Sequence, residues 1–172
     1  EGDVMIGDAS LRRNGGEAMR SMVGTVMQDD TLFAGSIADN ICFFDPAPDR
    51  ARIEECARLA QIHDEIAAMA MGYHTLVGDM GTVLSGGQKQ RLFLARALYK
   101  QPRILILDEA TSHLDVDCEQ AVNRAIQSLA LTRILIAHRP ETILSAERVV
   151  VLGGGKVVDD LSTAELLTRQ AV

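Results

Sequence analysis

The 172-residue sequence has no tryptophan and only 3% aromatic residues, so aliphatic side chains and its seven methionines must fill the core. It contains no apolar run near the roughly 20 residues that a membrane-spanning helix needs, and its first residues lack the basic and apolar regions of a signal peptide. The three cysteines, Cys42, Cys56 and Cys118, are widely spaced and match no CxxC or zinc pattern. We therefore expect buried free thiols in a reducing compartment.

Positive charge is scarce as well. Lysine and arginine total 17 against 24 aspartates and glutamates, which gives a net charge of −7. Because nonspecific nucleic-acid binding needs a cationic surface, this balance disfavours a nucleic-acid partner. The hydrophobic fraction of 47% and the charged fraction of 24% are ordinary for a globular protein, and 172 residues fit one domain with a sizeable core.

A phosphate-binding P-loop is also missing from the sequence. That motif needs the pattern G-x-x-x-x-G-K-[ST] between a strand and a helix. Gly155 and Lys156 are the nearest match, but Val150 stands at the first glycine position and Val157 follows the lysine. We expect these residues to lie in a hairpin between two strands, not in a nucleotide-binding loop.

The most informative stretch is residues 84–115. Ser85 and Gln88 have the three-residue spacing of a capping box, which predicts that a helix begins at this point. Gly86 and Gly87 in the first turn leave backbone N–H groups uncovered, so an anion could approach the positive end of the helix dipole. Taken alone, this pattern is more often an ordinary capped helix.

Two carboxylates follow a short apolar run in the same stretch. Residues 104–107 are all isoleucine or leucine, which predicts a buried strand with Asp108 and Glu109 at its carboxyl end. Ligands of open α/β sheets bind at that end. Asp108 suits a hard Mg²⁺ ion, and Glu109 suits a general base for water. Taken alone, such an acid pair is more often a helix cap or a turn.

The two patterns follow each other with a helix-length gap, and together they resemble the motifs of ATP-binding-cassette (ABC) ATPases. This succession is far more specific than either pattern alone. The similar segments are the signature motif at 84–88, the Walker B strand and catalytic glutamate at 104–109, the D-loop at 112–115, the Q-loop glutamine Gln28 and the switch histidine His138.

The resemblance implies an α/β fold. It would comprise a mostly parallel sheet with helices, an inserted helical subdomain at about 30–100, and the Walker B to C-terminal part of the catalytic core at 101–172. The family's P-loop lies N-terminal to a segment that resembles residues 1–7. We therefore expect the chain to be part of an ABC nucleotide-binding domain, truncated rather than degenerate, and inactive by itself.

Local sequence patterns predict several individual elements. They indicate a loop at 12–17, a strand at 22–27 and a helix that begins near Asp49. A second, shorter helix is predicted at 64–71, and a buried strand at 132–137 leads to His138. Ser162 and Glu165 have the spacing of another capping box.

The resemblance also implies the chemistry, with ATP and Mg²⁺ as ligands. Glu109 would polarise the attacking water, Asp108 would hold Mg²⁺ and Gln28 would reach the same ion or the water. His138 would stabilise the charge of the γ-phosphate. The resemblance also implies a head-to-tail dimer in which residues of one nucleotide-binding domain contact nucleotide held by the other. The implied contact residues are Leu84, Ser85, Gly86, Gly87, Gln88 and Asp115.

Two segments resemble exporters in particular. Residues 29–41 are similar to the exporter form of the Q-loop, and residues 75–81 are similar to the X-loop that touches the coupling helices of a transmembrane domain. The implied location is the cytoplasmic face of the inner membrane. His113 in the D-loop resembles peptide and bacteriocin exporters whose chains begin with a cysteine peptidase.

Other ABC classes are the alternatives. Chromosome and DNA-repair ATPases place long coiled coils in the stretch that here separates Gln28 from Leu84, and this stretch is too short for them. A soluble, translation-associated cassette would have no exporter-type coupling loop. A regulatory cassette would usually lack Glu109 or His138, and both residues are present.

Overall fold

The structure is a computed structural model that describes residues 3–10, 12, 16–78, 83–110 and 114–170. The chain forms two compact units, residues 1–134 and 135–172. The first unit contains β1 (Met5–Ile6), β2 (Ala9–Ser10), α1 (Gly16–Arg20), β3 (Val23–Val26), β4 (Gly35–Ser36), α2 (Ile37–Cys42), α3 (Arg50–Leu59), α4 (His63–Ala67), β5 (Leu76–Val77), α5 (Gly86–Tyr99), β6 (Ile104–Asp108) and α6 (Val116–Gln127). The strand β7 (Thr132–Ile136) begins in the first unit and ends in the second.

The strands β3, β6 and β7 form a three-stranded sheet in that order. β3 and β6 run parallel, and their register places Val26 beside Leu107. Both side chains are buried, as is Leu105. Gly24 in β3 leaves no room for a side chain, because a Cβ atom there would come 2.9 Å from the carbonyl oxygen of Ala97. The strand predicted at 22–27 is confirmed as Val23–Val26, and its parallel pairing with β6 agrees with the mostly parallel sheet that the resemblance implies.

The helices α2, α3 and α5 pack against one another beside this sheet. Each begins at a capping side chain, because Ser36, Asp49 and Ser85 each accept a hydrogen bond from the backbone amide three residues on. The helix start predicted at Asp49 is therefore confirmed. The buried side chains of this layer include Ile37, Ile41, Ile53, Cys56, Leu92 and Ala95.

Two predicted boundaries in the first unit are wrong. The loop predicted at 12–17 gives way to α1 from Gly16, where Glu17 in the first turn and Arg20 in the last turn suit the helix dipole. The helix predicted at 64–71 ends as α4 at Ala67. After α4 the hydrogen bonds span three residues instead of four, because the amide of Gly72 donates to the carbonyl of Met69. Gly72 itself has a φ of 50°, which a helix does not allow.

The prediction of a buried strand before His138 is correct for the strand and wrong for its burial. β7 ends at Ile136, and Ile134 and Ile136 are each 49% exposed. Side chains two residues apart in a strand share one face, so one face of β7 is half exposed. The cysteines follow the prediction more closely, because Cys42 and Cys56 are buried free thiols and Cys118 is half-buried.

The second unit holds the end of β7 and four further elements. Gly154 and Gly155 take φ values of 58° and 75° in a tight turn between its two long strands, so the predicted hairpin at Gly155 is confirmed. The capping box of Ser162 and Glu165 is also present. The elements are α7 (Pro140–Leu144), β8 (Arg148–Gly153), β9 (Lys156–Ser162) and α8 (Thr163–Gln170).

In the part of the chain that the structure describes, none of the helices has both the length and the apolar character needed to cross a membrane.

Candidate functional site

The amino end of α5 has the capped geometry that its sequence predicts. The Ser85 hydroxyl accepts a hydrogen bond from the Gln88 amide at 3.2 Å, and the Ser85 amide donates to Gln88 Oε1 at 2.8 Å. Gly86 and Gly87 occupy the first two positions of the helix, where backbone N–H groups have no intrahelical acceptor. Neither residue has a side chain to block an approaching anion. This end of α5 can therefore bind a negatively charged group.

An ion-pair network fixes that helix end to α4. Glu65 accepts hydrogen bonds from Arg91 Nη1 at 2.5 Å and from Gln88 Nε2 at 2.8 Å. Burial raises the pKa of Glu65, but the hydrogen bonds from Arg91 and Gln88 outweigh it, so the pKa lies below its ordinary value. Leu84, just before the cap, is buried. The side chains of Leu84 and Gln88 thus anchor the motif, and its exposed face is formed by Ser85 and Gly86.

Neither Glu65 nor Arg91 stands out in the sequence as a site residue. Glu65 lies in a five-residue helix whose pattern shows no special feature, and its partners follow 23 and 26 residues later. A contact of that separation is created by the packing of α4 on α5. No local spacing rule could have found it.

The acid pair lies where β6 ends. Asp108 is the last residue of the strand, and Glu109 follows it with a φ of 50°, in the left-handed region that residues other than glycine seldom adopt. Both side chains are half-buried. The side-chain amide of Gln90 on α5 donates a hydrogen bond to the carbonyl oxygen of Glu109 at 3.2 Å.

Gln28 leaves the sheet at the same edge as the acid pair. It lies two residues beyond Val26, which pairs with Leu107 immediately before Asp108. Neighbouring strands lie about 4.8 Å apart, so the parallel register brings the chain segments of Gln28 and the acid pair close to each other. Gln28 itself is exposed and sits in a turn.

Arg96 on α5 holds the loop that follows Gln28. It forms an ion pair with Asp30 at 3.1 Å and donates to the carbonyl of Thr31 at 3.0 Å. Its guanidinium also lies over the ring of Phe93, 4.8 Å from the centroid. The helix that begins at the glycine pair is thus tied to the loop that carries Gln28.

An open cavity of about 320 Å³ lies between this loop, β3 and the carboxyl half of α5. The rings of Phe33 and Phe43 meet edge to face at its rim, with centroids 5.7 Å apart, and each is nearly half exposed. Buried Asn40 fixes the segment, because it exchanges hydrogen bonds with the backbone N–H and C=O of Phe33. Two aromatic rings thus lie at the rim of the cavity, and Asn40 holds the backbone of one of them.

Asp115 and His138 are the remaining residues singled out from the sequence. Asp115 is the N-cap of α6, and its carboxylate accepts a hydrogen bond from the Cys118 amide at 2.9 Å. Ser112 and His113 of the D-loop lie outside the described residues. His138 follows β7 by two residues, is exposed, and belongs to the second compact unit.

The donor set of the acid pair fits magnesium better than a zinc-type ion. Within the described ranges no group of three or more histidine, cysteine, aspartate or glutamate side chains is placed to hold a metal. Zinc needs such a set, whereas Mg²⁺ is commonly held by one or two carboxylates together with phosphate oxygens and water. Asp108, a half-buried carboxylate at the end of a strand, can supply one such ligand.

Comparison with known families identifies the class of protein. The family model described as "ABC transporter" matches residues 1–112, more than half of the chain. The chain therefore belongs to the ABC transporter family, whose nucleotide-binding domains are ATPases. The recognition made from the signature, Walker B and D-loop patterns is confirmed.

The individual relatives include secretion proteins and a lipid flippase. The chain is 50% identical over 149 residues to the colicin V secretion/processing ATP-binding protein CvaB of Escherichia coli, and 49% identical over the same length to the probable microcin-H47 secretion/processing ATP-binding protein MchF of that species. Each match covers 87% of this chain and 21% of the relative. An ATP-dependent lipid A-core flippase of Burkholderia pseudomallei is 45% identical over 170 residues, which is 98% of this chain and 28% of the flippase.

A solved structure agrees in fold. A bacterial Atm1-family ABC exporter with ATP bound superposes with a TM-score of 0.92 at 38% identity, over 99% of this chain and 30% of that one. The α/β fold implied by the resemblance is thus confirmed. This chain spans about a fifth of the length of the two bacteriocin-related proteins.

Proposed function

We propose that the chain is the ATP-hydrolysing motor part of an ABC exporter. The observation that carries this proposal is the parallel register of β3 and β6, which brings Gln28 and the acid pair to one sheet edge. α5 connects that edge to an open, glycine-bearing helix start. Exporter relatives with 45–50% identity support the same assignment.

In this proposal Glu109 is the general base. Hydrolysis is an in-line attack of water on the γ-phosphoryl group, and catalysis is mainly positioning and charge stabilisation. Glu109 would accept the proton of the water, and Gln28 would orient the water from the neighbouring strand. His138 would donate a hydrogen bond to the γ-phosphate.

Asp108 would hold Mg²⁺, in part through bound water. The ion supplies positive charge against the phosphate oxygens when it is bound. The two adjacent acids thus have separate tasks, since Asp108 is needed for nucleotide binding and Glu109 for turnover.

The open end of α5 would serve a second copy of the domain. Ser85, Gly86 and Gly87 would donate hydrogen bonds to nucleotide held by the opposite domain in a head-to-tail dimer, with Leu84 and Gln88 holding the motif in place and Asp115 close to that interface. The first-turn amides of Gly86 and Gly87, which have no intrahelical acceptor, and the positive helix end support an anionic ligand at this surface.

The aromatic cavity would receive the coupling helix of a transmembrane domain. Phe33 and Phe43 offer exposed apolar surface, and Arg96 connects their cavity to the loop of Gln28. Movement of a helix in the cavity would therefore reach the attacking water. In this role the domain would lie at the cytoplasmic face of the inner membrane. The two secretion proteins among the relatives support a peptide or bacteriocin as the exported substrate.

ATP hydrolysis by a chimeric cassette tests the proposal. Residues 1–172 contain no P-loop pattern, so the cassette must take that motif from a relative. It joins the present chain to the segment of the colicin V secretion protein that lies before the region matched by this chain. Glu109→Gln should lower the hydrolysis rate about 10²–10⁴-fold, the usual contribution of a general base. Glu54→Gln, on the surface of α3, is the matched control and should leave the rate unchanged. Normal turnover by Glu109→Gln would contradict the proposal.

A further inference from the structure

Gln90 makes a contact to which the proposed mechanism gives no task. It lies one turn after the glycine pair on α5, and its Nε2 atom donates a hydrogen bond to the carbonyl oxygen of Glu109 at 3.2 Å. This contact joins the two halves of the candidate site within one chain. One half is the helix that presents its amino end to a second copy, and the other is the acid pair at the strand end.

The carbonyl that Gln90 contacts belongs to a residue in a costly backbone conformation. Glu109 has a φ of 50°, and such left-handed conformations persist in residues other than glycine only where the surroundings hold them. The direction of a carbonyl group depends on the ψ angle of its own residue. A hydrogen bond that fixes the Glu109 carbonyl therefore also limits where the Glu109 side chain can point.

We propose that Gln90 is a positioning residue for Glu109. By holding the Glu109 carbonyl, Gln90 keeps the carboxylate in the orientation that hydrolysis requires. The inference rests on the proposed function, because the role of Glu109 as general base is itself a proposal. It makes the reaction depend on Gln90, a residue that lies outside the acid pair.

The position of Gln90 on α5 has a second consequence. It is four positions after Gly86, about 6 Å along the helix axis at 1.5 Å per residue. In the proposed dimer, a displacement of α5 by the nucleotide of a second copy would therefore move Gln90 as well. Gln90 therefore links the nucleotide at one site to the orientation of Glu109 at the other.

Substitutions at Gln90 in the chimeric cassette test the inference. Gln90→Met keeps the length of the side chain and removes the donor, so kcat should fall about tenfold, the worth of one hydrogen bond, while the Kd for ATP stays within about twofold. The Hill coefficient for ATP should fall toward one. Gln90→Lys restores an N–H donor and should recover part of kcat. Gln120→Met, at an exposed position on α6, is the matched control.

A double substitution separates positioning from a general structural effect. If Gln90 acts through the Glu109 carboxylate, Gln90→Met should cause no further loss of the residual rate in a Glu109→Gln background. An equal tenfold loss in both backgrounds, or wild-type kcat in Gln90→Met, would overturn the inference. Normal turnover by Glu109→Gln would instead overturn the proposed function. An inactive Glu109→Gln combined with a fully active Gln90→Met would overturn this inference alone.

Discussion

Arg96 and Asp30 form an ion pair across the first unit, with 3.1 Å between Nη2 of the arginine and Oδ1 of the aspartate. The Arg96 side chain is only 10% exposed, and it also donates to the carbonyl of Thr31. Phe93 covers one face of the guanidinium. The pair therefore connects the helix of the signature motif to the loop that carries Gln28.

Removal of Arg96 should destabilise the fold and loosen this connection. Arg96→Ala leaves Asp30 partly buried without its partner, and breaking such a pair costs about 3 kcal/mol. Arg96→Lys keeps the charge but cannot make the same two-point contact, so it should lose a smaller part of this stability. Urea unfolding of the chimeric cassette measures both losses.

The surface pair of α3 provides the control. Arg58 and Glu54 lie 2.9 Å apart at i and i+4 positions, and the Arg58 side chain is 54% exposed. Arg58→Ala should change the unfolding free energy by about 0.5 kcal/mol or less. Equal losses from Arg96→Ala and Arg58→Ala would contradict the structural role of Arg96.

Glu65 should make the stability of the domain depend on acidity. Its folded-state pKa is below the ordinary value of 4.5, so the folded state binds its proton less tightly than the unfolded state does. The contribution of Glu65 is therefore complete above pH 4.5 and is lost as the pH falls through the folded-state pKa. The unfolding free energies of the wild type and of Glu65→Gln should be measured from near-neutral to acidic pH. The two values should converge as the pH falls below 4.5. A difference that stays constant over this range would rule out the ionised contact with Arg91.

Gly24 should tolerate no side chain. A Cβ atom at this position would come 2.9 Å from the carbonyl oxygen of Ala97 and 3.0 Å from Cγ of Pro102, and neither neighbour is the free end of a flexible side chain. Gly24→Ala should therefore cost about 1–3 kcal/mol in urea unfolding, as overpacking usually does. At Gly16 the added Cβ would meet only the guanidinium of Arg20, which can move away. A Gly24→Ala variant as stable as Gly16→Ala would disprove the close contact.

Local sequence patterns predicted the elements that local interactions determine. Ser85 and Gln88 lie three residues apart, so the chemistry of the cap is visible in the sequence, and the structure has both of its hydrogen bonds. The same is true of the hairpin at Gly154 and Gly155, where two adjacent left-handed residues specify the turn. The apolar run before Asp108 likewise gave the strand its correct place.

Contacts between distant segments could not be read in this way. Arg96 meets Asp30 across 66 positions of the chain, and Gln90 meets Glu109 across 19. These pairs exist only because α5 packs on the loop after β3 and on the end of β6. The end of α4 at Ala67 was missed for a similar reason, since the Ala68–Met71 pattern is apolar enough for a helix and Gly72 alone marks the turn.

In the proposed dimer, Ser85, Gly86 and Gly87 of one copy bind nucleotide held by a second copy, and Glu109 of that second copy hydrolyses it. Sedimentation velocity of the Glu109→Gln chimeric cassette with Mg²⁺ and ATP tests this arrangement. We predict a stable dimer with trapped ATP, while the wild-type cassette returns to monomer, and we predict that adding Gly86→Glu to Glu109→Gln abolishes the dimer. A Glu109→Gln cassette that binds ATP and remains monomeric would contradict the account.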